Sequence, residues 1–198
     1  MKVVVASDNP GKLREIEAML APALELVAQA ALGIAEAEEP HATFVENALA
    51  KARHASRAAK MPALADDSGL CVAALGGEPG VRSAYFAGRD GSRDERDARN
   101  NRRLLAELGD DRRAYYCCVM VLVRRADDPR PLIAEGIWRG EIARAPRGTN
   151  GFGYDPLFWL PALGKTAAEL APGEKNRISH RALAARRLLD LLHGPDHA

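Results

Sequence analysis

Cysteine is scarce in this sequence. Its three copies, Cys71 and the adjacent Cys117 and Cys118, have neither the even number of a disulfide framework nor the paired spacing of a zinc site. Buried thiols in a reducing compartment are the reading that fits. An excess of one charge is missing too. The 28 basic and 27 acidic residues leave a formal net charge of +1, which excludes the global basic field of a duplex-binding protein and makes a nucleic-acid partner unexpected. No long apolar segment opens the chain. The run at residues 3–6 stops at Ser7 and Asp8, too short for the hydrophobic region of a secretion signal or for a bilayer span, so a soluble cytoplasmic protein with no membrane partner is expected. Internal repeats, low-complexity tracts and linkers are also absent. A chain of 198 residues can bury a core without metal or disulfide staples, so one domain over residues 1–198 is expected.

What is present is an alternation of short apolar runs and helical spacings. Residues 3–6 read as a strand, the following Ser-Asp-Asn-Pro-Gly as a turn, and Leu13, Ile16, Met19 and Leu20 recur at helical spacing. Thr43 and Glu46 have the spacing of a capping box, and Ala48, Leu49, Ala52 and Ala55 continue an apolar face that Lys60-Met61-Pro62 ends. Residues 63–65 form a strand candidate that runs into Asp66-Asp67-Ser68-Gly69, which places the two acids at a strand end. After the apolar residues 70–75, Gly76-Gly77-Glu78-Pro79-Gly80 reads as a flexible loop. The polar segment 88–101 leads into a helix carrying Leu104, Leu105 and Leu108, with Gly109 as its cap. Residues 115–123 and 132–142 are long strand candidates joined around Asp127-Asp128-Pro129, an antiparallel pair. Beyond the glycine-rich loop 148–156, Thr166 and Glu169 repeat the capping-box spacing. A last helix begins near Ser179, carries Leu183, Leu188, Leu191 and Leu192, and ends at Gly194. Strands that alternate early with helices and pair directly later predict an α/β fold with a mixed sheet.

Four clusters have the composition of a site. Ser7-Asp8-Asn9-Pro10-Gly11-Lys12 lies between a strand and a helix whose unpaired N-terminal amides favour anions, so it suits a phosphate chain. Lys12 adds a point charge, Ser7 and Asn9 add neutral donors, and Gly11 allows close approach. The same composition also simply starts a helix, and Leu13 after Lys12 breaks the spacing of an ordinary P-loop. Asp66 and Asp67 can coordinate a hard cation and, through it, a phosphate oxygen; alternatively they form a solvated turn. Glu38 and Glu39, just before Pro40, could reach the same cation if the second helix folds back, one carboxylate holding metal while another activates water. In Gly151-Phe152-Gly153-Tyr154-Asp155-Pro156 the aromatic rings offer faces to a planar base and Asp155 an acceptor for a ring N–H; a hairpin turn with a structural aromatic is the alternative. Glu174-Lys175-Asn176 puts Lys175 in a loop, and Ser179-His180-Arg181 puts two basic residues in the first turn of a helix, where they oppose the macrodipole and invite an anionic or hydrogen-bonding partner.

These clusters occur together and in order, with S-D-N-P-G-K, T-F-V-E-N-A and K-A-R, A-D-D-S-G-L, L-G-G-E-P-G-V, G-F-G-Y-D-P and E-K-N-R-I-S-H-R spread from Lys2 to Leu192. In this the sequence resembles the inosine triphosphate pyrophosphatase family, also called dITP/XTP or non-standard purine NTP pyrophosphatases. The resemblance implies hydrolysis of deaminated purine nucleoside triphosphates to monophosphate and pyrophosphate, cleansing the nucleotide pool. It also implies an elongated mixed sheet flanked by helices, two lobes around a central nucleotide cleft, Mg2+ as cofactor and a homodimer. Carried over, the loop from Ser7 through Asp8, Asn9, Pro10 and Gly11 to Lys12 binds triphosphate, and Asp67 is general base and metal ligand. Ser68 contacts substrate, and Glu39 or Glu38 completes the metal site. Phe152, Gly153, Tyr154 and Asp155 hold the base, Lys175, His180 and Arg181 finish the pocket, and the last two read the 6-oxo group.

A site that donates to a 6-keto oxygen mismatches the 6-amino group of adenine, so ATP is expected to be a poor substrate, while rejection of GTP must involve the 2-position. Two departures from the family pattern stand out. Asp8 puts a carboxylate beside the presumed phosphates, so it must point away, pair with Lys12 or touch the metal; and Arg82 and Tyr85 have exchanged places. The rival readings are a pyrophosphatase for another modified nucleotide, a nucleotide-binding regulator without hydrolysis, and an RNA-binding module, which the neutral charge disfavours.

Overall fold

In the computed structural model, which describes residues 1–21 and 23–194, the chain alternates strand and helix before turning to directly paired strands. In order the elements are β1 (Lys2–Val5), α1 (Pro10–Leu20), β2 (Glu25–Ala28), α2 (Phe44–Ala59), β3 (Ala63–Val72) and α3 (Arg93–Glu107). There follow β4 (Arg113–Val123), β5 (Leu132–Ile142), β6 (Phe158–Leu160), β7 (Lys165–Thr166), α4 (Pro172–Ile178) and α5 (His180–His193). The seven strands form one sheet in the order β2-β1-β3-β4-β5-β6-β7. β1 is parallel to both neighbours, with Val4 opposite Val27 and Ala63, so each link needs a crossover, and α1 and α2 provide them. β6 is antiparallel to β5 and to β7, which makes the sheet mixed. β4 and β5 are neighbours joined by residues 124–131, and at their far ends Ile142 N donates to Arg112 O at 2.8 Å, so they run as an antiparallel hairpin. Buried Asp128 closes that turn by accepting from Arg124 N and Arg130 N, both at 2.9 Å.

Two compact units emerge, one from Met1–Asp67, Cys118–Gly136 and the segment starting at Ser179, the other from Ser68–Cys117 and Ile137–Ile178. In the first, Val3 and Val5 of β1, Ile16 and Leu20 of α1, Leu64 of β3, Met120 and Leu122 of β4 and Leu188 of α5 form the core. A second core, around Leu70, Val72, Leu104, Tyr116, Trp138 and Phe158, belongs to the other unit, where the rings of Tyr116 and Trp138 lie 4.6 and 5.1 Å from that of Phe158. Gly136 on β5 decides how α5 sits. A Cβ there would lie 2.0 Å from His180 O and 2.6 Å from Ala184 N, so only glycine lets the first turn of α5 approach the strand.

Several expectations need correction. β3 is one ten-residue strand that passes through Asp66 and Asp67, so the acids lie inside a strand and not at its end; paired cations, described below, compensate their burial. α3 starts at Arg93, well inside the polar segment, because Ser92 and Glu95 form a reciprocal capping box and only Asn100 and Leu104 need burying. Leu108 is its extended C-cap and Gly109 lies beyond it. Lys175 stands on α4, where a loop was expected: Pro172 opens that helix and the Glu174 carboxylate accepts from Ala171 N at 2.9 Å. Among the described residues no helix is long and apolar enough to cross a membrane.

Candidate active site

The loop between β1 and α1 is shaped by its own side chains. Asn9 caps α1, its Oδ1 accepting from Gly11 N at 2.9 Å and Lys12 N at 3.3 Å, and Ser7 Oγ accepts from Asn9 N at 3.2 Å. Pro10 fits the first helical position, where no N–H is needed. Asp8 points away: its Oδ1 accepts from the buried Gln29 amide at 2.9 Å, leaving Lys12 to another partner.

That partner is Asp66, whose Oδ1 lies 3.3 Å from Lys12 Nζ. Its Oδ2 accepts from Arg181 Nε at 3.2 Å and Nη2 at 2.8 Å, and Cys118 Sγ lies 3.9 Å away. Arg181 also donates through Nη1 to Glu15 on α1. Both Asp66 and Arg181 are fully buried. Burial alone would push the Asp66 carboxyl up, but the charges of Lys12, Arg181 and Lys51 outweigh it and hold the group far below the usual carboxylate range.

Asp67 points the other way along the pleat and meets α2. Asn47 Nδ2 donates to its Oδ2 at 3.2 Å, Lys51 Nζ lies 3.5 Å from its Oδ1, and the same ammonium is 2.5 Å from Glu39 Oε1. Asn47 is itself held by the backbone of His41, accepting from its N at 3.0 Å and donating to its O at 3.2 Å. Burial pushes the Asp67 carboxyl up; Lys51 and Lys12 oppose the shift, and Glu39 and Asp66 reinforce it. Burial works against the Lys51 charge as well, yet the carboxylates on either side hold it above the usual lysine range. Glu39 is the member of the glutamate pair that reaches this group; Glu38 is exposed.

In the second unit Ser68 follows half-buried on β3. Asp155 and Lys175 form a buried pair at 2.5 Å, Asp155 Oδ2 also accepts from Phe152 N at 2.9 Å, and the Lys175 ammonium lies 4.9 Å from the Phe152 ring centroid. Gly151 makes this turn, with φ of 76° and room for no side chain: a Cβ would meet Asp155 Oδ2 at 2.0 Å. Gly153 N donates to Asp97 at 2.9 Å, and Asn101 Nδ2 donates to Gly153 O at 2.9 Å, so α3 fixes the loop backbone. One expected role changes here. Tyr154 presents no face to a base, because its ring is buried in the core and its hydroxyl donates to Ser83 O at 2.9 Å. Asp155 bonds to Lys175 and to the Phe152 amide through the same oxygen, Oδ2. Exposed Arg82 pairs with Glu78 at 2.5 Å, and Tyr85 lies under the Arg89 guanidinium at 4.3 Å.

With this geometry in view, the description of the Ham1 family matches residues 3–191. The chain belongs to the Ham1 family. It is 63% identical over 191 residues to the dITP/XTP pyrophosphatase of Burkholderia pseudomallei, covering 95% of this chain and 91% of that one. The solved structure of a HAM1 protein from Coxiella burnetii superposes with a TM-score of 0.87 at 46% identity, covering 97% and 98% of the two chains. The crystal structure of a nucleoside-triphosphatase / dITP/XTP pyrophosphatase from Mycobacterium abscessus superposes with a TM-score of 0.73 at 43% identity, covering 98% of this chain and 100% of that one.

Three cations of this Ham1 chain, Lys12, Lys51 and Arg181, face four carboxylates, Glu15, Glu39, Asp66 and Asp67. The surplus negative charge and the hard oxygens of Glu39 and Asp67, already gathered around the Lys51 ammonium, fit a small divalent cation. Among the described residues no three of His, Cys, Asp and Glu make a ready cage, so such an ion would complete its shell with water and phosphate oxygens. Asn47, Lys51, Glu15 and Gln29 received no role from the sequence. Asn47 and Lys51 were nevertheless discoverable, because they lie one turn apart on α2 and so share a face. His180 lies at the start of α5, where the sequence puts it, and is buried there; the Arg181 side chain bonds to Asp66 and Glu15.

Proposed function

We propose that this Ham1 chain hydrolyses the deaminated purine nucleoside triphosphates ITP, dITP and XTP to monophosphate and pyrophosphate. The observation that carries the reading is the pair of adjacent aspartates with different partners, Asp66 between Lys12 and Arg181, and Asp67 on Asn47 and on the Lys51 ammonium that also holds Glu39. Two carboxylates placed in environments this different can divide the work between an electrostatic anchor and a proton acceptor. The shared name of the close relatives, dITP/XTP pyrophosphatase, supports the substrate class.

In this proposal the α1 start and Lys12 hold the triphosphate, the amides of the helix and the ammonium each facing negative oxygen. Asp67 takes a proton from the water that attacks the α-phosphorus. The P–O bond to the β-phosphate breaks and pyrophosphate leaves, its charge met by Lys12. Mg2+, held by Asp67 and Glu39, would supply further neutralisation of phosphate oxygens when bound. Asn47 keeps Asp67 oriented, and Lys51 balances the two carboxylates. Base selection falls to His180 in this reading, and a donor aimed at a 6-keto oxygen penalises ATP. Residues 1–198 act as one catalytic domain in this reading, as a cytoplasmic homodimer, a state that light scattering would check.

Pyrophosphate release from ITP, XTP, GTP and ATP, each with Mg2+ and with excess EDTA, tests the reading. Fast release from ITP and XTP that EDTA stops and added Mg2+ restores is expected. Silence across the panel would favour a binding protein without hydrolysis, and equal rates for all four would remove the deaminated-purine assignment.

A further inference from the structure

Within the second unit, α3 turns one face to the glycine-rich turn. Asp97, Asn100 and Asn101 recur at the three- and four-residue spacing that sets side chains next to one another on a helix. Asp97 Oδ2 accepts from Gly153 N at 2.9 Å and Asn101 Nδ2 donates to Gly153 O at 2.9 Å, so both peptide groups that flank Gly153 are held from one helix. Asn100 Nδ2 donates at 3.2 Å to Ser83 O, the same carbonyl that takes the Tyr154 hydroxyl. Gly153 itself has φ of 63°, and across this left-handed turn Tyr154 is buried while Phe152 is only half-buried. We infer that Asp97 and Asn101 are positioning residues for the nucleobase, fixing from α3 the turn that carries the Phe152 ring.

The physical reason is preorganisation. A ring that stacks on a base contributes most when its plane is already held, because ordering a loop during binding subtracts from affinity. Phe152 has no regular secondary structure to hold it, since residues 151–157 are bends and turns. Asp155 closes the turn from within by accepting from Phe152 N, whereas Asp97 and Asn101 reach it from a fifteen-residue helix whose start carries a capping box. A peptide N–H bonded to a carboxylate makes a charge-assisted bond, about twice as strong as one to a neutral acceptor. Burial pushes the Asp97 carboxyl up, and the Gly153 amide is the largest of the contacts that pull it back. Both side chains stand more than fifty residues before Gly153, 56 and 52, so the glycine-rich motif does not announce them.

This inference rests on the pyrophosphatase reading for its substrate, and the experiment keeps the two apart. In the full chain with Mg2+, Asp97→Ala is compared with the parent for KM and kcat with ITP. Both are also titrated calorimetrically with inosine monophosphate, which carries the base, and with inorganic pyrophosphate, which does not. KM for ITP and Kd for inosine monophosphate are each expected to rise about tenfold, with kcat and pyrophosphate affinity within about twofold of the parent. Asp97→Asn, whose amide oxygen can still accept from Gly153 N, is expected to recover most of the loss. A merely structural defect would lower kcat or weaken pyrophosphate as much as the monophosphate, and either result would overturn the inference. So would an unchanged affinity for inosine monophosphate. Should Asp97→Ala fail to fold, as circular dichroism would reveal, Asn101→Ala removes the other grip on Gly153, with the same split expected at about threefold. A parent that binds inosine monophosphate but releases no pyrophosphate from ITP would end the hydrolytic reading alone, and the monophosphate comparison would still decide the role of Asp97 and Asn101. A parent that binds no inosine monophosphate would overturn the inference itself.

Discussion

Asp66 and Asp67 are chemically identical and covalently adjacent, yet strand pleating sends one toward α1 and α5 and the other toward α2. The depressed Asp66 group stabilises the fold in a pH window with a definite sign. Its folded pKa is below the unfolded value of about 3.9, so the contribution is complete above that value and is lost as pH falls through the folded one. Asp66→Asn is accordingly expected to cost about 3 kcal/mol at neutral pH, where it breaks buried ion pairs, with the gap to the parent narrowing in acid. Urea midpoints at neutral and acidic pH would measure this, and a gap that widened in acid would contradict it. For Asp67→Asn, pyrophosphate release from ITP should fall about a thousandfold with the circular dichroism spectrum unchanged, and an active variant would remove Asp67 from its role. The Asp-Asp-Ser sequence revealed that acids matter at this place, but not their division of labour. That depends on Arg181, 115 residues away from Asp66, and on Lys51 across α2.

At the scale of elements, caps made helices readable. Thr43 Oγ1 accepts from Glu46 N at 3.3 Å where the capping-box spacing indicated, and Ser179 caps α5 through Ala182 N at 3.2 Å, near where the last helix was expected to begin. Replacing Thr43 with alanine should lower stability by about 1 kcal/mol in chemical denaturation, because α2 loses the side chain that satisfies its first turn. β2, β6 and β7, of four, three and two residues, were not readable, since so short a run shows no period. Nor was the importance of Gly136, which looks like an ordinary strand glycine until α5 is laid across it. Gly136→Ala is expected to destabilise by about 2 kcal/mol through forced separation of α5 from β5, and to disturb ITP hydrolysis by moving His180 and Arg181. Thermal melting and ITP kinetics together would check this, and a neutral effect on both would show that the strand yields.

For the whole molecule, near neutrality of charge has a consequence. With a formal net charge of +1 and basic residues largely matched by acids, no salt-sensitive retention on RNA is expected at low or physiological salt. Filter binding would test it, and retention that falls steeply with salt would restore the RNA-binding alternative. Each compact unit has its own apolar cluster, while β3, β4 and β5 each pass from one unit into the other. The α/β class and the mixed sheet were legible because alternation early in the chain and direct pairing later are themselves properties of local pattern. The division into two units is implied by the family resemblance and not by local pattern, because it follows from which segments return to which cluster: residues 118–136 and the segment from Ser179 rejoin the N-terminal part.

By itself the sequence determined the features that act over a few residues: the capped starts of α1, α2 and α5, the β-branched strand before Ser7, the hairpin closed by Asp128, and the motif order shared with the Ham1 family. Tertiary structure decided which charges meet. It placed Glu39 on Lys51 and left Glu38 exposed, turned Asp8 to Gln29, buried Tyr154 and committed Arg181 to Asp66 and Glu15. Those outcomes depend on burial and on partners far apart in the chain, and the energy of a charge is set by what surrounds it in space.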